Sequence, residues 1–167
     1  MDIKQNENYQ ALYKINDFIR KNNIDAINDV INNPTFDINF QDENGDSALH
    51  LAILYRNFQV IKLFVSKKAN INIRDIDGKT PLMSHLERNA DMLIVNFLLE
   101  NGASLISRDK NGITPLMYAV VSKNLKAVEQ LVELGSNVND TDYFGANVKS
   151  YGLKYSYKIF EFLEGIK

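Results

Sequence analysis

The feature that most constrains this sequence is an Asp-x-x-Gly segment that recurs at a nearly fixed spacing. Its four copies begin at Asp42, Asp75, Asp109 and Asp142, which are 33, 34 and 33 residues apart. Apolar residues recur in the same phase, at 60–64, 94–98 and 127–131. A period near 33 residues is typical of a solenoid, in which each repeat buries its apolar face by stacking on its neighbours.

Each repeat is predicted to be a tight turn followed by two short helices. In Asp75-Ile76-Asp77-Gly78 the glycine supplies the positive φ that such a turn requires. Thr80 is then expected to cap the first helix, with Pro81 as its first residue, where the missing N–H is not needed. A second helix is predicted over 92–100, and Gly102 is expected to end it in the left-handed conformation.

This pattern resembles the ankyrin repeat, and the segment Asp75–Ala103 carries the family's order of acidic residue, Gly, Thr-Pro-Leu, paired helices and Gly-Ala. The resemblance covers residues 42–141. It implies an all-α solenoid of about five helix pairs with β-turn tips, in a single domain over 1–167. The expected parts are an N-terminal capping repeat at 1–41, repeats at 42–74, 75–108 and 109–141, and a C-terminal cap at 142–167.

The composition bears on which partners the chain can bind and in which compartment it is expected. The chain has 167 residues, 45% hydrophobic and 24% charged, with a net charge of -2. No stripe of Lys and Arg exists to displace phosphate counterions, so we expect no binding of nucleic acid. There is no cysteine, no basic and apolar leader, and no apolar run near the roughly 18 residues that a membrane span needs. We therefore expect a soluble, cytoplasmic monomer that does not bind membranes.

The two histidines do not predict catalysis. His50 and His85 stand without any cysteine, which leaves too few ligands for a zinc site, and no strained Gly-x-Ser-x-Gly turn exposes a nucleophile. We predict no metal, no cofactor and no enzymatic activity. The alternative is a hydrolase or metal enzyme built around His85, which replaces the alanine of neighbouring repeats and accompanies one extra residue near 88–91. Its imidazole either displaces its neighbours or points into the groove.

Another departure concerns the His of the Thr-Pro-Leu-His motif, which the resemblance assigns to a hydrogen bond with nearby backbone. His50 retains it, whereas Met83 and Met117 replace it. Losing this bond is expected to weaken two interfaces by roughly 1 kcal/mol each, of which Met packing recovers a part.

The resemblance also implies a binding surface, because ankyrin proteins bind partners along a concave side made by turn tips and first helices. Tyrosine and exposed aliphatic side chains on that side are candidates for the anchors of a protein interface. For the aromatic residues from Tyr143 to Tyr155, the alternative is that they fold back and close the last repeat. The candidate partner-binding residues are Tyr55, Arg56, Ile76, Lys79, Arg88, Lys110, Ile113, Tyr118, Tyr143, Phe144, Tyr151 and Tyr155.

The predicted function is therefore a non-catalytic module that binds another protein through this groove. A bacterial immunity or inhibitor protein and a secreted effector would use the same groove, and the sequence does not choose between them. A self-assembling element that docks its aromatic C-terminal end onto another copy is a further alternative. The identity of the partner is not encoded in any motif that we recognise.

Overall fold

The computed structural model describes residues 3–88 and 90–166. In that part of the chain there are ten α-helices and no strand, so the predicted all-α fold of about five helix pairs is confirmed. The helices are α1 Ile3–Arg20, α2 Ile24–Ile31, α3 Ala48–Leu54, α4 Phe58–Ser66, α5 Pro81–Glu87, α6 Met92–Glu100, α7 Pro115–Val121, α8 Leu125–Glu133, α9 Val148–Tyr155 and α10 Tyr157–Glu164.

The chain divides into two compact units, Met1–Ile76 with helices α1 to α4 and Asp77–Lys167 with helices α5 to α10. The division of residues 1–167 into a single array of five repeats, with bounds after 41, 74, 108 and 141, stays a prediction. No helix in the described ranges combines the length and the apolar character that crossing a bilayer requires.

Helix starts follow the predicted capping chemistry. Thr80 has an extended backbone, its Oγ1 accepts the N–H of Met83 at 3.4 Å, and Pro81 is the first residue of α5. Ser47 caps α3 in the same way, because its Oγ accepts the N–H of His50 at 3.4 Å. These caps satisfy amides that have no partner within the helix.

The replacement of His by Met does not remove the hydrogen bond that the sequence predicted to be lost. The N–H of Ser47 donates to Nδ1 of His50 at 3.3 Å. In the later repeats, the N–H of Thr80 reaches the Sδ of Met83 at 3.4 Å, and the N–H of Thr114 reaches the Sδ of Met117 at 3.5 Å. The sulfur thus takes the place of the imidazole nitrogen as a weaker acceptor.

Each unit has its own core of aliphatic side chains. In Met1–Ile76 the largest fully buried side chains include Ile15, Ile27, Leu49, Ile61 and Phe64, and α3 packs against both α1 and α4. Burial of one such side chain stabilises the fold by about 1.5–3 kcal/mol relative to leaving it in water.

In Asp77–Lys167 the first helices of successive repeats pack side by side, α5 on α7 and α7 on α9. Leu82, Leu86, Leu116 and Leu98 are fully buried there. None of these short helices would be stable alone, so this packing holds α5, α7 and α9 in a row.

The spacing that recurs in each turn of the chain has a direct structural cause. The Oδ1 atom of the turn aspartate accepts two backbone N–H groups, as Asp109 does from Asn111 at 2.8 Å and from Ile113 at 2.9 Å. Asp142 repeats the arrangement with Phe144 and Ala146, each at 2.9 Å. A carboxylate that accepts two amides fixes the turn, and the same turn then starts the next first helix.

Successive turns of Asp77–Lys167 are joined by backbone hydrogen bonds. The N–H of Lys110 donates to the carbonyl of Asp77 at 2.9 Å, and the N–H of Tyr143 donates to the carbonyl of Asn111 at 2.9 Å. Gly112 allows this approach, because a Cβ at that position would lie 2.7 Å from Cδ1 of Tyr143 and its φ is +81°. The turn tips therefore form a continuous edge beside the first helices.

Candidate functional site

Two tyrosines of the first helices are tied to the turns that precede them. The hydroxyl of Tyr118 on α7 donates to Oδ2 of Asp109 at 2.8 Å, and the hydroxyl of Tyr151 on α9 donates to Oδ2 of Asp142 at 2.7 Å. In both cases the tyrosine follows the aspartate by nine residues. Sequence reasoning missed these pairs, although the repeated spacing from a turn aspartate to a first-helix tyrosine was visible and could have found them.

Between these turns and helices lies a depression of about 340 Å³. It contains six of the twelve residues predicted to bind a partner, which are Lys79, Lys110, Ile113, Tyr118, Tyr151 and Tyr155. The prediction did not select its other lining residues, Asp77, Glu87, Asp109, Asn111 and Val121, as anchors. We call this surface the tyrosine depression.

Its walls carry two ion pairs. The ammonium of Lys79 contacts both carboxylate oxygens of Glu87, at 2.8 and 2.9 Å, and lies 5.5 Å from the ring centre of Tyr118. The ammonium of Lys110 pairs with Oδ1 of Asp77. The hydrogen bond from Lys110, together with its positive charge, lowers the pKa of the Asp77 carboxyl. These pairs hold long side chains in place around an aromatic floor.

Tyr118 forms part of that floor and is not an exposed anchor. Only 6% of its surface is exposed, because its ring packs beneath Lys79 and its hydroxyl is bound to Asp109. Tyr118 is therefore buried in this surface, and its part in binding a partner stays a prediction. Its contribution to this surface is the shape and rigidity of the floor, whereas Ile113, Tyr151 and Tyr155 are half-buried and remain open to a ligand.

Tyr151 and Tyr155 are one helical turn apart on α9. Their rings stack with centres 6.0 Å apart and planes 18° from parallel. Both also line a smaller depression of about 260 Å³, together with Asp142, Ala146, Ser150 and Lys154. The Lys154 ammonium lies 5.1 Å from the ring centre of Tyr155. The stacked pair thus separates two neighbouring depressions.

Burial of Tyr151, its hydrogen bond to Asp142 and the negative charges of Asp142 and Asp109 together raise the pKa of its phenol far above the ordinary value. For Asp142, burial acts to raise the pKa. Hydrogen bonds from Tyr151 and from the backbone N–H groups of Ala146, Phe144 and Gly145 outweigh that effect, so the pKa lies below its usual range. The Tyr151 phenol therefore stays protonated and the Asp142 carboxyl stays ionised near neutral pH.

Comparison with known proteins agrees with this architecture. The family profile of the ankyrin repeats, in three copies, matches residues 15–109 and again 68–142. The chain belongs to the ankyrin repeat family. Ankyrin repeats are a general protein-interaction module, and that is the functional class that this match supports.

Individual relatives share this ankyrin region. A protein of Rickettsia bellii named as an ankyrin repeat protein is 34% identical over 110 residues, or 62% of this chain and 31% of that protein. One of Acanthamoeba polyphaga mimivirus with a similar name is 30% identical over 133 residues, or 75% of this chain and 16% of that protein. One of Danio rerio named as a palmitoyltransferase is 33% identical over 104 residues, or 62% of this chain and 16% of that protein. The ankyrin chain thus spans 31% or less of the length of these curated relatives.

The remaining candidates of the ankyrin surface lie outside the tyrosine depression. Tyr55, which is 39% exposed, and Arg56, also exposed, belong to the unit Met1–Ile76, as does Ile76 at 71% exposure. Arg88 is exposed at the end of α5 and is not among the residues that line the depression. These positions stay predicted contacts.

At the tip of the last ankyrin turn, Tyr143 is 68% exposed and Phe144 is 82% exposed. They therefore do not fold back to close the final repeat, which was the alternative for this aromatic segment. Tyr151 does support its own repeat through Asp142 while part of its ring stays open.

His85 lies on α5 and is buried, so its imidazole does not point into a groove. It is 1% exposed, and its Nε2 accepts the backbone N–H of Asp91 at 3.0 Å. Asp91 is the N-cap of the second helix in its repeat, and Asn57 and Asn124 are the equivalent caps in two other repeats. There the cap N–H donates to a backbone carbonyl, from Asn57 to Ala52 at 3.0 Å and from Asn124 to Ala119 at 3.1 Å.

The His85 side chain thus takes the place of that backbone acceptor in the repeat whose sequence has one extra residue near 88–91. This use of Nε2 leaves the imidazole buried in a structural contact, and no cluster of three or more metal-ligating side chains occurs among the described residues.

Proposed function

We propose that this ankyrin chain is a non-catalytic module that binds a partner protein through the tyrosine depression and the turn tips beside it. The observation that carries the proposal is the convergence of two half-buried tyrosines and one aliphatic residue, Tyr151, Tyr155 and Ile113, on one depression bounded by ion pairs. Interface hot spots combine such aromatic anchors with a surrounding polar rim.

The rigidity of the depression supports this proposal. Its floor is fixed by the bond from Tyr118 to Asp109 and by the bond from Tyr151 to Asp142. A surface that is ordered before binding loses less conformational entropy when a partner docks. The exposed tip residues Tyr143 and Phe144 extend the same face with further apolar area.

The proposal is tested by isolating the partner and then changing the face. The tagged chain is purified from its native cell with its co-eluting proteins, and the stoichiometric protein is identified by mass spectrometry. Ile113→Glu and Tyr155→Glu are each expected to weaken binding of that protein by at least about thirtyfold, the effect of losing one hot spot. Tyr118→Glu is unsuitable because it would place a charge in a buried site.

Leu93→Glu is the matched control, since Leu93 is 55% exposed on α6 and does not line the depression. All three variants should keep the far-ultraviolet circular dichroism of the parent chain. Binding that is unchanged in Ile113→Glu and Tyr155→Glu, or equally weakened in Leu93→Glu, would contradict this location of the interface.

We further propose that the module acts as a cytoplasmic monomer without nucleic acid, membrane or cofactor partners, on the basis of its composition and net charge of -2. Sedimentation at micromolar concentration tests the monomer, and a dimer would overturn it. Whether the module is an inhibitor, an adaptor or an effector follows from the identity of the captured protein.

A further inference from the structure

The tyrosine depression and its smaller neighbour carry a bias in charge. The ionisable residues that line them are four carboxylates and three ammonium groups, so one negative charge is in excess. These residues are Asp77, Glu87, Asp109, Asp142, Lys79, Lys110 and Lys154. The pairs Lys79 with Glu87 and Lys110 with Asp77 cancel locally, which leaves Asp109, Asp142 and Lys154 and hence the single excess negative charge.

Asp109 and Asp142 are both buried, at 3% and 6% exposure. Neither forms an ion pair with a residue in the described part of the chain. Their negative charges are stabilised by N–H and O–H donors only, which orient dipoles toward the carboxylate without neutralising it. A buried charge that lacks a counterion projects its field through the low-dielectric tyrosine layer above it.

Two tyrosine hydroxyls of this layer, those of Tyr118 and Tyr151, already donate to the buried aspartates. Because Tyr151 donates its proton to Asp142, its phenolic oxygen offers only lone pairs toward the depression. The tyrosine rings present electron-rich faces, and two lysines of the chain itself already use them, Lys79 over Tyr118 at 5.5 Å and Lys154 over Tyr155 at 5.1 Å. Burial chiefly raises the pKa of the Tyr151 phenol, and the hydrogen bond to Asp142 and the charges of Asp142 and Asp109 raise it further.

We infer that the tyrosine depression recognises a basic side chain, lysine or arginine, of the partner protein, seated against Tyr151 and Tyr155 and attracted by Asp109 and Asp142. This inference rests on the proposed function and names the chemistry of the partner segment. An acidic segment would meet uncompensated like charge. A purely apolar anchor would leave the lone pairs of the Tyr151 oxygen without a donor.

The inference is tested without the natural partner by a series of peptides that differ only in charge. Acetyl-Gly-Arg-Gly-amide, acetyl-Gly-Gln-Gly-amide and acetyl-Gly-Glu-Gly-amide are titrated into the full chain at low salt. The ring signals of Tyr151 and Tyr155 are followed by NMR. We expect saturable shifts with the arginine peptide at a Kd roughly three- to fivefold below that of the glutamine peptide, the size of one partly exposed charge contact. The glutamate peptide should bind most weakly.

Asp142→Asn removes one of the two charges while keeping a turn residue whose amide oxygen can accept the same two N–H groups. It is expected to reduce the preference for arginine over glutamine, and 0.5 M salt should reduce it in the parent chain. Glu133→Gln is the matched control, because Glu133 is exposed on α8, lines neither depression, and loses the same formal charge. The preference should be unchanged in that variant.

Three results would overturn the inference: equal binding of the three peptides, stronger binding of the glutamate peptide, or equal loss of preference in Asp142→Asn and Glu133→Gln. After such a result, the proposed protein interface would still be supported if Ile113→Glu abolishes capture of the partner. Conversely, an arginine preference together with normal partner binding by Ile113→Glu and Tyr155→Glu would retain the basic-residue site and refute the proposed interface.

Discussion

The imidazole Nε2 of His85 accepts the backbone N–H of Asp91, the cap of the second helix in its repeat, at 3.0 Å. The two features that set this repeat apart in sequence, the His in place of Ala and the extra residue, are therefore one structural solution. In two other repeats a backbone carbonyl accepts the equivalent cap N–H, whereas in the repeat with the longer connection the His85 side chain accepts it.

His85→Ala is accordingly expected to destabilise the chain by about 1–3 kcal/mol, because a buried N–H loses its acceptor. Urea unfolding followed by circular dichroism measures this loss. Deleting Ala90 in the same variant shortens the connection to the length found in the neighbouring repeats and should recover part of the stability. If deleting Ala90 destabilises His85→Ala as much as it destabilises the parent chain, then His85 and the extra residue are not coupled.

The two Asp-Tyr pairs should differ in strength because their exposure differs. Tyr118→Phe leaves the Oδ2 of buried Asp109 without its donor, and we expect a loss of about 1.5–3 kcal/mol, typical of a hydrogen bond to a charged group. Tyr151 is half-buried, so water can replace its hydroxyl and Tyr151→Phe should cost less. Urea unfolding of both variants gives the comparison, and a larger loss in Tyr151→Phe would show that the ranking by burial is wrong.

Substituting two turn glycines distinguishes the cost of a strained backbone from the cost of a steric clash. Gly145 has φ +85° and its added Cβ would meet nothing within 4 Å, so Gly145→Ala should cost about 1–2 kcal/mol from the left-handed backbone alone. Gly112 has φ +81°, and its Cβ would also lie 2.8 Å from the backbone nitrogen of Tyr143. Gly112→Ala should therefore lower the urea midpoint further. Equal losses would mean that the neighbouring turn moves away freely.

Asp142 should make stability depend on pH. Its pKa in the folded chain lies below the ordinary value of 3.8, so the unfolded chain binds more protons in this range and stability rises with pH. The contribution is fully present above the unfolded pKa and is lost as pH falls through the folded one. The difference in urea stability between the parent chain and Asp142→Asn is expected to shrink below about pH 4. A difference that stays constant from pH 6 to pH 3 would contradict this account.

Much of the fold follows from local chemistry that a single sequence displays. The predicted second helix over 92–100 matches Met92–Glu100, because an N-cap and a C-terminal glycine mark both ends. By contrast, no turn or cap signal in the sequence marks where the first helix, Ile3–Arg20, begins. Thr80 and Pro81 behave as predicted because capping involves residues only a few positions apart.

The candidate surface was predicted less well, because its properties depend on packing between repeats. Position in the repeat identified Ile113, Tyr151 and Tyr155 as neighbours of one depression. It did not show that Tyr118 lies beneath Lys79 or that Asp109 and Asp142 are buried acceptors, since burial of a side chain is decided by whichever element packs over it.

The period, the turns, the caps and the resemblance to the ankyrin repeat are all visible in the sequence, because each is marked by residues a few positions apart within one repeat. Three features became visible only in the folded chain: which aromatic rings are floor and which are open, how His85 serves the repeat with the extra residue, and where negative charge collects. These features depend on distances between atoms of separate turns and helices, within a repeat for His85 and Asp91 and between repeats for Lys79 and Tyr118.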